Sequence, residues 1–298
     1  MRRAVALLAV MAAALLSSGS DAASSGVPKV TAHPLRVMST NQCGDQILLA
    51  LLPPERIASV TWLSRNPEDS LMTAAAQRVA VNHGTAEEVV RQRPDLIVAD
   101  NYSRPATKAL LKRLGWPMIE INDASTIDQI RAVTRQIATA VDERARGEAL
   151  IAHMDRQLAL LARQPAPNIR VAAWDGSGFS ASKGSLFDTI LHLAGAENVA
   201  DEPPASGYGV PDTEVLLAAA PDLILQGGYD RGTLRENIAH HPLVRRYWGK
   251  DRTLVIRQAY YMCGTPFVAD TALMLRRQLV AAKAGIHTAL PFAREASR

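Results

Sequence analysis

The sequence predicts an α/β chain of two lobes, each with a mostly parallel central sheet flanked by helices, joined by a long spine helix. Three observations predict it. Short apolar runs alternate with helical patterns along most of the 298 residues, the arrangement of βαβ units with parallel strands. The stretch 126–164 has no proline and a single glycine, Gly147, and its apolar residues recur at helical spacing. Finally, a segment of the first half returns in the second. Glu87 stands seven positions before Pro94-Asp95-Leu96-Ile97, and Glu214 seven before Pro221-Asp222-Leu223-Ile224.

Taken in order, Met1-Arg2-Arg3, an apolar run over 4–16 and small residues ending at Ala22 read as a signal peptide, 1–22. That run is shorter than the ~20 residues a membrane span needs. No cysteine precedes Cys43, so a lipid anchor at the cut is not expected. The mature protein is expected in an oxidising compartment, the periplasm. In an N-terminal lobe, 34–125, the runs 35–38, 57–60, 96–99 and 118–121 read as strands, and 45–52, 85–93 and 106–114 as helices. A connecting spine, 126–167, carries Ile127, Ile130, Val133 and Ile137, then Leu150, Ile151, Met154, Leu158 and Leu161, in one or two long helices. Twenty residues from Ala145 to Gln164 reach ~30 Å, and Pro165 and Pro167 end them. In a C-terminal lobe, 168–298, strands are expected at 171–174, 223–225 and 254–256, and helices at 187–194 and 267–284, with Gly285 as a cap. Asp45-Gln46-Ile47-Leu48 is loosely echoed by Asp188-Thr189-Ile190-Leu191. His240-His241-Pro242 reads as a turn after a short helix.

The charge balance is +4 from 33 basic and 29 acidic residues, with no Lys/Arg block, so no nucleic-acid partner is indicated. In open parallel sheets ligands bind beyond the carboxyl ends of the strands, and two facing lobes make a cleft there. The loops at those ends hold Asn41, Cys43, Trp62, Arg65, Asn101, Tyr102, Asp175, Phe179, Tyr208, Tyr229, Tyr260, Tyr261 and Cys263, the expected ligand-binding residues. With only four Phe, four Trp and six Tyr in the chain, seven aromatics in these loops suit a large, partly apolar ligand. Arg65, Asn41, Asn101 and Asp175 are expected to orient its polar rim, Arg65 by favouring an anionic group.

On these residues the chain resembles the helical-backbone substrate-binding proteins of ABC importers, the group that includes vitamin B12-binding and ferric-siderophore-binding proteins. The resemblance covers roughly 35–290. Its most specific part is the glutamate pair: Glu87 and Glu214 match positions that, in the vitamin B12 binders, dock onto arginines of the permease. The segment 174–180 matches a ligand-facing loop, and Tyr208 stands where that group carries a pocket tryptophan. Loops 41–45 and 260–263 depart from the vitamin B12 binders. The resemblance implies a monomeric periplasmic receptor that binds a metal chelate, a corrinoid or a ferric siderophore, and delivers it to a permease dimer in the inner membrane. It implies no catalysis and no cofactor beyond cobalt or iron carried by the ligand, and a spine that limits lobe motion to a few ångströms.

The sequence leaves alternatives open. Cys43 and Cys263 are either bridged or free thiols facing the ligand. No residue set has recognised metal-ligand spacing, so no metal ligands are assigned. A receptor for haem or a free metal ion is one alternative function. A secreted α/β hydrolase is another, although Gly176-Ser177-Gly178 lacks the Gly-x-Ser-x-Gly elbow.

Overall fold

The structure, a computed structural model, describes residues 33–101, 104–175, 178–206, 212–227 and 241–292. The expected signal peptide lies outside the described residues, as do Tyr102, Tyr208 and Tyr229 and the side chains of Asp175 and Phe179.

The first lobe runs β1 (Val37–Ser39), α1 (Gln42–Leu51), β2 (Ile57–Thr61), α2 (Thr73–Ala76), β3 (Val81–Asn82), α3 (Ala86–Gln92), β4 (Leu96–Asp100), α4 (Pro105–Arg113) and β5 (Met118–Ile121). Its strands pair in parallel in the order β3-β2-β1-β4-β5. The second lobe runs β6 (Ile169–Asp175), β7 (Gly178–Phe179), α7 (Leu186–Leu193), β8 (Ala196–Asn198), α8 (Thr213–Ala219), β9 (Leu223–Gly227), α9 (Pro242–Tyr247), β10 (Thr253–Ile256) and α10 (Val268–Gly285). Here β10, β9, β6 and β8 pair in parallel in that order, and β7 turns back antiparallel on β6. Setting β3 and β7 aside, β2-β1-β4-β5 and β8-β6-β9-β10 are one topology used twice. Both sheets are covered on two faces, so their strands read as continuous apolar runs.

The repeated Pro-Asp performs the same task in each lobe. Arg93 and Ala220 end α3 and α8 in the left-handed region, at φ 48° and 45°. The next aspartate folds back on the first strand of its lobe. Asp95 Oδ2 accepts the backbone N–H of Arg36 at 3.0 Å while its own N–H donates to the Arg36 carbonyl at 2.9 Å. Asp222 does the same with Arg170, at 3.1 and 2.9 Å. Helix end, strand start and strand order are thereby set together, which explains why this tetrapeptide is shared when most of the surrounding sequence is not.

Between the lobes lie α5 (Ile127–Ala140) and α6 (Arg144–Arg163). Thr126 starts α5 with a capping box to Gln129. The chain then reverses through Asp142, at φ 57°. The two helices pack antiparallel, with Arg131 paired to Asp155 at 2.7 Å and Arg135 to Glu148 at 2.7 Å. Gly147 sits at their contact: a Cβ there would stand 2.5 Å from that of Ala138. The stretch therefore breaks into a hairpin, and α6, twenty residues or ~30 Å, is the rod that passes from lobe to lobe. Arg56 holds the hairpin turn to the base of the first lobe, donating to Glu143 at 2.5 Å and to the Val141 carbonyl at 2.6 Å.

At the far end, α10 packs on α6 and α7, and its buried Arg276 donates to the carbonyls of Leu161 and Gln164 and of Leu193 and Ala194. One guanidinium so adds donors to carbonyls at the ends of two helices. A single buried apolar cluster continues from Val37 through Ile137 and Met154 to Leu279. One expectation is corrected. Gly285 is the last residue of α10 and Ile286 caps it through the Lys283 carbonyl. His241 caps the helix that follows, accepting from Leu243 N–H with Pro242 in the first turn, and whatever precedes it over 228–240 lies outside the described residues. Among the described residues no helix is long and apolar enough to cross a membrane.

Candidate functional site

The segments that follow β1 and β5 in the first lobe and β10 in the second meet at one seam. Its floor is a covalent link: Cys43, in the first turn of α1, is bonded to buried Cys263 after β10, with Cα atoms 5.0 Å apart. This resolves the two readings of the cysteines. A bridged pair offers no thiolate to a metal. Beside it Ala259 N–H donates to the Glu68 carbonyl at 2.7 Å and Arg257 to that of Pro67 at 3.1 Å, so the β10 end of the second lobe is laced to the first. Gly264 packs on Ala124 so closely that a Cβ would lie 1.9 Å from the Ala124 carbonyl oxygen. A cavity of about 90 Å³ opens along this floor, between Asn41, Cys43, Asn122 and Asp123 of one lobe and Leu186 and Met262 of the other.

Of the expected residues Asn41 and Cys43 line this cavity, and several others have roles the sequence did not reveal. Asn41 caps α1, accepting from Gly44 N–H at 2.7 Å, and its amide N–H₂ donates to Asp100. Asn101 donates to Asn122 and joins the ends of β4 and β5. Trp62 is half exposed and stacks on His83 with centroids 6.4 Å apart. The His83 Nδ1 lies 3.2 Å from Glu88, and its side chain is exposed. Arg65 donates to the carbonyls of Ala76 at 3.3 Å and Val79 at 2.7 Å. Two of its donors are thus tied to the end of α2 and the loop after it before any anionic ligand arrives.

The two adjacent tyrosines diverge. Tyr261 lies flat on Phe187, centroids 4.1 Å apart. Tyr260 accepts from Arg257 at 2.8 Å and faces a separate interlobe cavity of about 270 Å³, between Leu71 and Met72 on one side and Phe267 and Thr271 on the other. A third cavity, about 140 Å³, opens off the first-lobe strand ends among Thr40, His83, Gly84, Arg104, Thr107 and Lys108. Asn122, His83 and Arg104 were not among the expected ligand residues. Asn122 stands directly after β5, a strand end like the others, and was legible by that position.

Under the floor lies Asp45, fully buried in the first turn of α1. Its Oδ2 accepts from Thr61 N–H at 2.9 Å, from the Thr61 hydroxyl at 2.5 Å and from the Ser64 hydroxyl at 2.7 Å. Burial outweighs these bonds and lifts its carboxyl to about 6.

On the rim, Glu87 and Glu214 are both exposed in the first turns of α3 and α8. Thr85 caps α3 in a capping box with Glu88, and Asp212 caps α8. In a parallel α/β lobe the helices run against the strands, so their first turns lie on the side of the strand carboxyl ends. Each lobe accordingly presents one carboxylate on the face that carries the seam.

Comparison with known proteins gives a consistent picture. A family described as periplasmic binding protein matches residues 37–247. A cobalamin-binding protein of Halobacterium salinarum is 26% identical over 205 residues, 65% of this chain and 54% of that one. The chain thus spans about half the length of that relative. A vitamin B12-binding protein of Pectobacterium carotovorum is 27% identical over 210 residues, 67% of this chain and 74% of that one. Among solved structures, a periplasmic heme-binding protein from Roseiflexus superposes with a TM-score of 0.66 at 22% identity, over 83% of this chain and 98% of that one. At that identity the likeness concerns the fold.

Proposed function

The chain belongs to the periplasmic binding protein family, and from that premise we propose that it is the solute receptor of an ABC importer, binding a cobalt corrinoid at the interlobe seam. The family is one of transport receptors, so the protein performs no chemistry on its ligand. The observation that carries the reading is the pair of exposed carboxylates, Glu87 and Glu214, one per lobe at matching helix starts on the seam face. Two such groups suit two guanidinium groups of a two-fold permease, and fix the orientation in which the seam is presented.

The choice of a corrinoid over a ferric siderophore follows the two sequence relatives, both named for cobalamin. Trp62, with one face toward solvent, supplies a flat apolar surface for a macrocycle, and Asn101 and Asn122 supply polar groups for its amide rim. Tyr102, Asp175, Phe179, Tyr208 and Tyr229 complete the expected contacts. The protein works outside the inner membrane, after removal of residues 1–22.

A haem reading has one observation in its favour, the exposed imidazole of His83 stacked beside Trp62. The test is titration of the ligand-free protein with cyanocobalamin, haemin and a ferric hydroxamate, followed by tryptophan quenching and absorption. Saturable quenching by the corrinoid alone is expected. A shifted Soret band with haemin, lost in His83→Ala, transfers the assignment to haem. Saturation by none of the three rejects the chelate reading.

A further inference from the structure

The second lobe holds a cluster that the seam does not use. Asp188 and His192 are one turn apart on the same face of α7, and Asp201 reaches them from the single helical turn Val199–Asp201 that follows β8. His192 Nε2 lies 3.1 Å from Asp188 Oδ1 and 2.8 Å from Asp201 Oδ2. One oxygen or nitrogen of each of the three residues falls within 4.8 Å of the others. We propose that Asp188, His192 and Asp201 form a binding site for a divalent first-row transition ion, of which Zn²⁺ is the reference, independent of the ligand at the seam.

Three arguments support it. The first is geometric: neighbouring donors around a tetrahedral ion held at ~2.1 Å stand about 3.4 Å apart, and here His192 Nε2 lies 3.1 and 2.8 Å from the two carboxylate oxygens, with all three donors within 4.8 Å of one another. The second is hydrogen-bond accounting. A single Nε2–H is aimed between two carboxylate oxygens and can donate well to only one of them, whereas a cation at the same point serves both. Two carboxylates against one imidazole also leave net negative charge beside a buried group, since Asp188 is only 5% exposed. The third is the support behind the donors. Buried Asn198 donates to Asp188 Oδ1 at 2.8 Å, and Gly184 N–H donates to Asp188 Oδ2 at 2.8 Å. The Asn198 carbonyl oxygen of the amide also accepts from Ala200 N–H at 3.1 Å, fixing the turn that bears Asp201. Held carboxylates with a half-exposed imidazole make an entry side and leave positions for water. The mixed N/O donor set favours Zn²⁺, Mn²⁺ or Ni²⁺ over Mg²⁺ or Ca²⁺, which take oxygen alone.

The bland alternative is an ion triad, with a protonated His192 between two aspartates. The two differ in metal dependence. Tag-free, chelator-treated full-length mature protein is titrated calorimetrically with ZnCl₂, MnCl₂ and CaCl₂, and its unfolding temperature is followed in parallel. One saturable Zn²⁺ equivalent is expected, with a rise in unfolding temperature and no response to Ca²⁺. His192→Gln, which keeps a hydrogen-bonding side chain on α7, and Asp201→Asn should both remove that equivalent. Asn198→Ala, which touches only the support, should weaken it by roughly 10–100-fold. Absence of saturable Zn²⁺ binding in the wild type overturns the site, and so does binding that persists unchanged in His192→Gln and Asp201→Asn. Corrinoid binding is read separately at the seam, so its failure leaves this result untouched.

Discussion

Gly264 rests against the carbonyl of Ala124 with no room for a side chain, in the residue next to the cysteine that bonds the lobes. Ala124 ends the first lobe just before the spine, so this contact registers β10's loop against the start of α5. Gly264→Ala places a carbon 1.9 Å from that oxygen, and backbone must move to admit it. A loss of about 1–3 kcal/mol in urea unfolding is expected. An unchanged midpoint would show that the two segments slide freely.

Removing the bridge should loosen the same contact from the other side. Cys43→Ser/Cys263→Ser frees a loop of 220 residues in the unfolded chain, and a cost of roughly 2–4 kcal/mol is expected. Wild type treated with reductant should unfold with the variant. If reduction leaves the wild-type transition where it was, the bond contributes nothing to stability.

Glu87 and Glu214 are exposed and project from capped helix starts, so Glu87→Gln/Glu214→Gln should shift stability by no more than about 0.5 kcal/mol. Ligand affinity should be unchanged while uptake by cells carrying the importer falls to background. The single variants should each retain part of it. Weakened ligand binding in the double variant would place the pair in the pocket and sink the docking role.

Asp45 carries a pH signature. Its carboxyl titrates near 3.8 in the unfolded chain and at about 6 when folded. The stability that goes with its protonated form is fully present below pH 3.8 and is lost as pH rises through about 6. That is about 3 kcal/mol across the window. Urea unfolding at pH 4 to 8 should therefore show wild type declining against Asp45→Asn over this interval and running parallel above it. Parallel profiles throughout would mean that the hydrogen bonds from Thr61 and Ser64 offset the burial.

The duplicated architecture was legible because it depends on local chemistry. Pro-Asp after a left-handed residue is a helix-to-strand junction that needs little else, and both copies kept their spacing to the glutamate. What the letters did not disclose depends on three-dimensional neighbours. Asp142 turns the spine through a positive φ with neither proline nor glycine to announce it. Arg65 stands in a seam loop but bonds to carbonyls of Ala76 and Val79. The pairing of Cys43 with Cys263 follows from how two lobes meet, and a pair of cysteines 220 residues apart says nothing of it. The cluster of Asp188, His192 and Asp201 joins a helix to a turn across a strand, and only its first two members share a periodicity.

The hairpin turn and the disulfide together have a consequence for nicked protein. Residues 141–143 fall between Cys43 and Cys263 in the chain. A protease that cuts the backbone at that bend yields two fragments still tethered sulfur to sulfur, which migrate as one species until a reducing agent parts them.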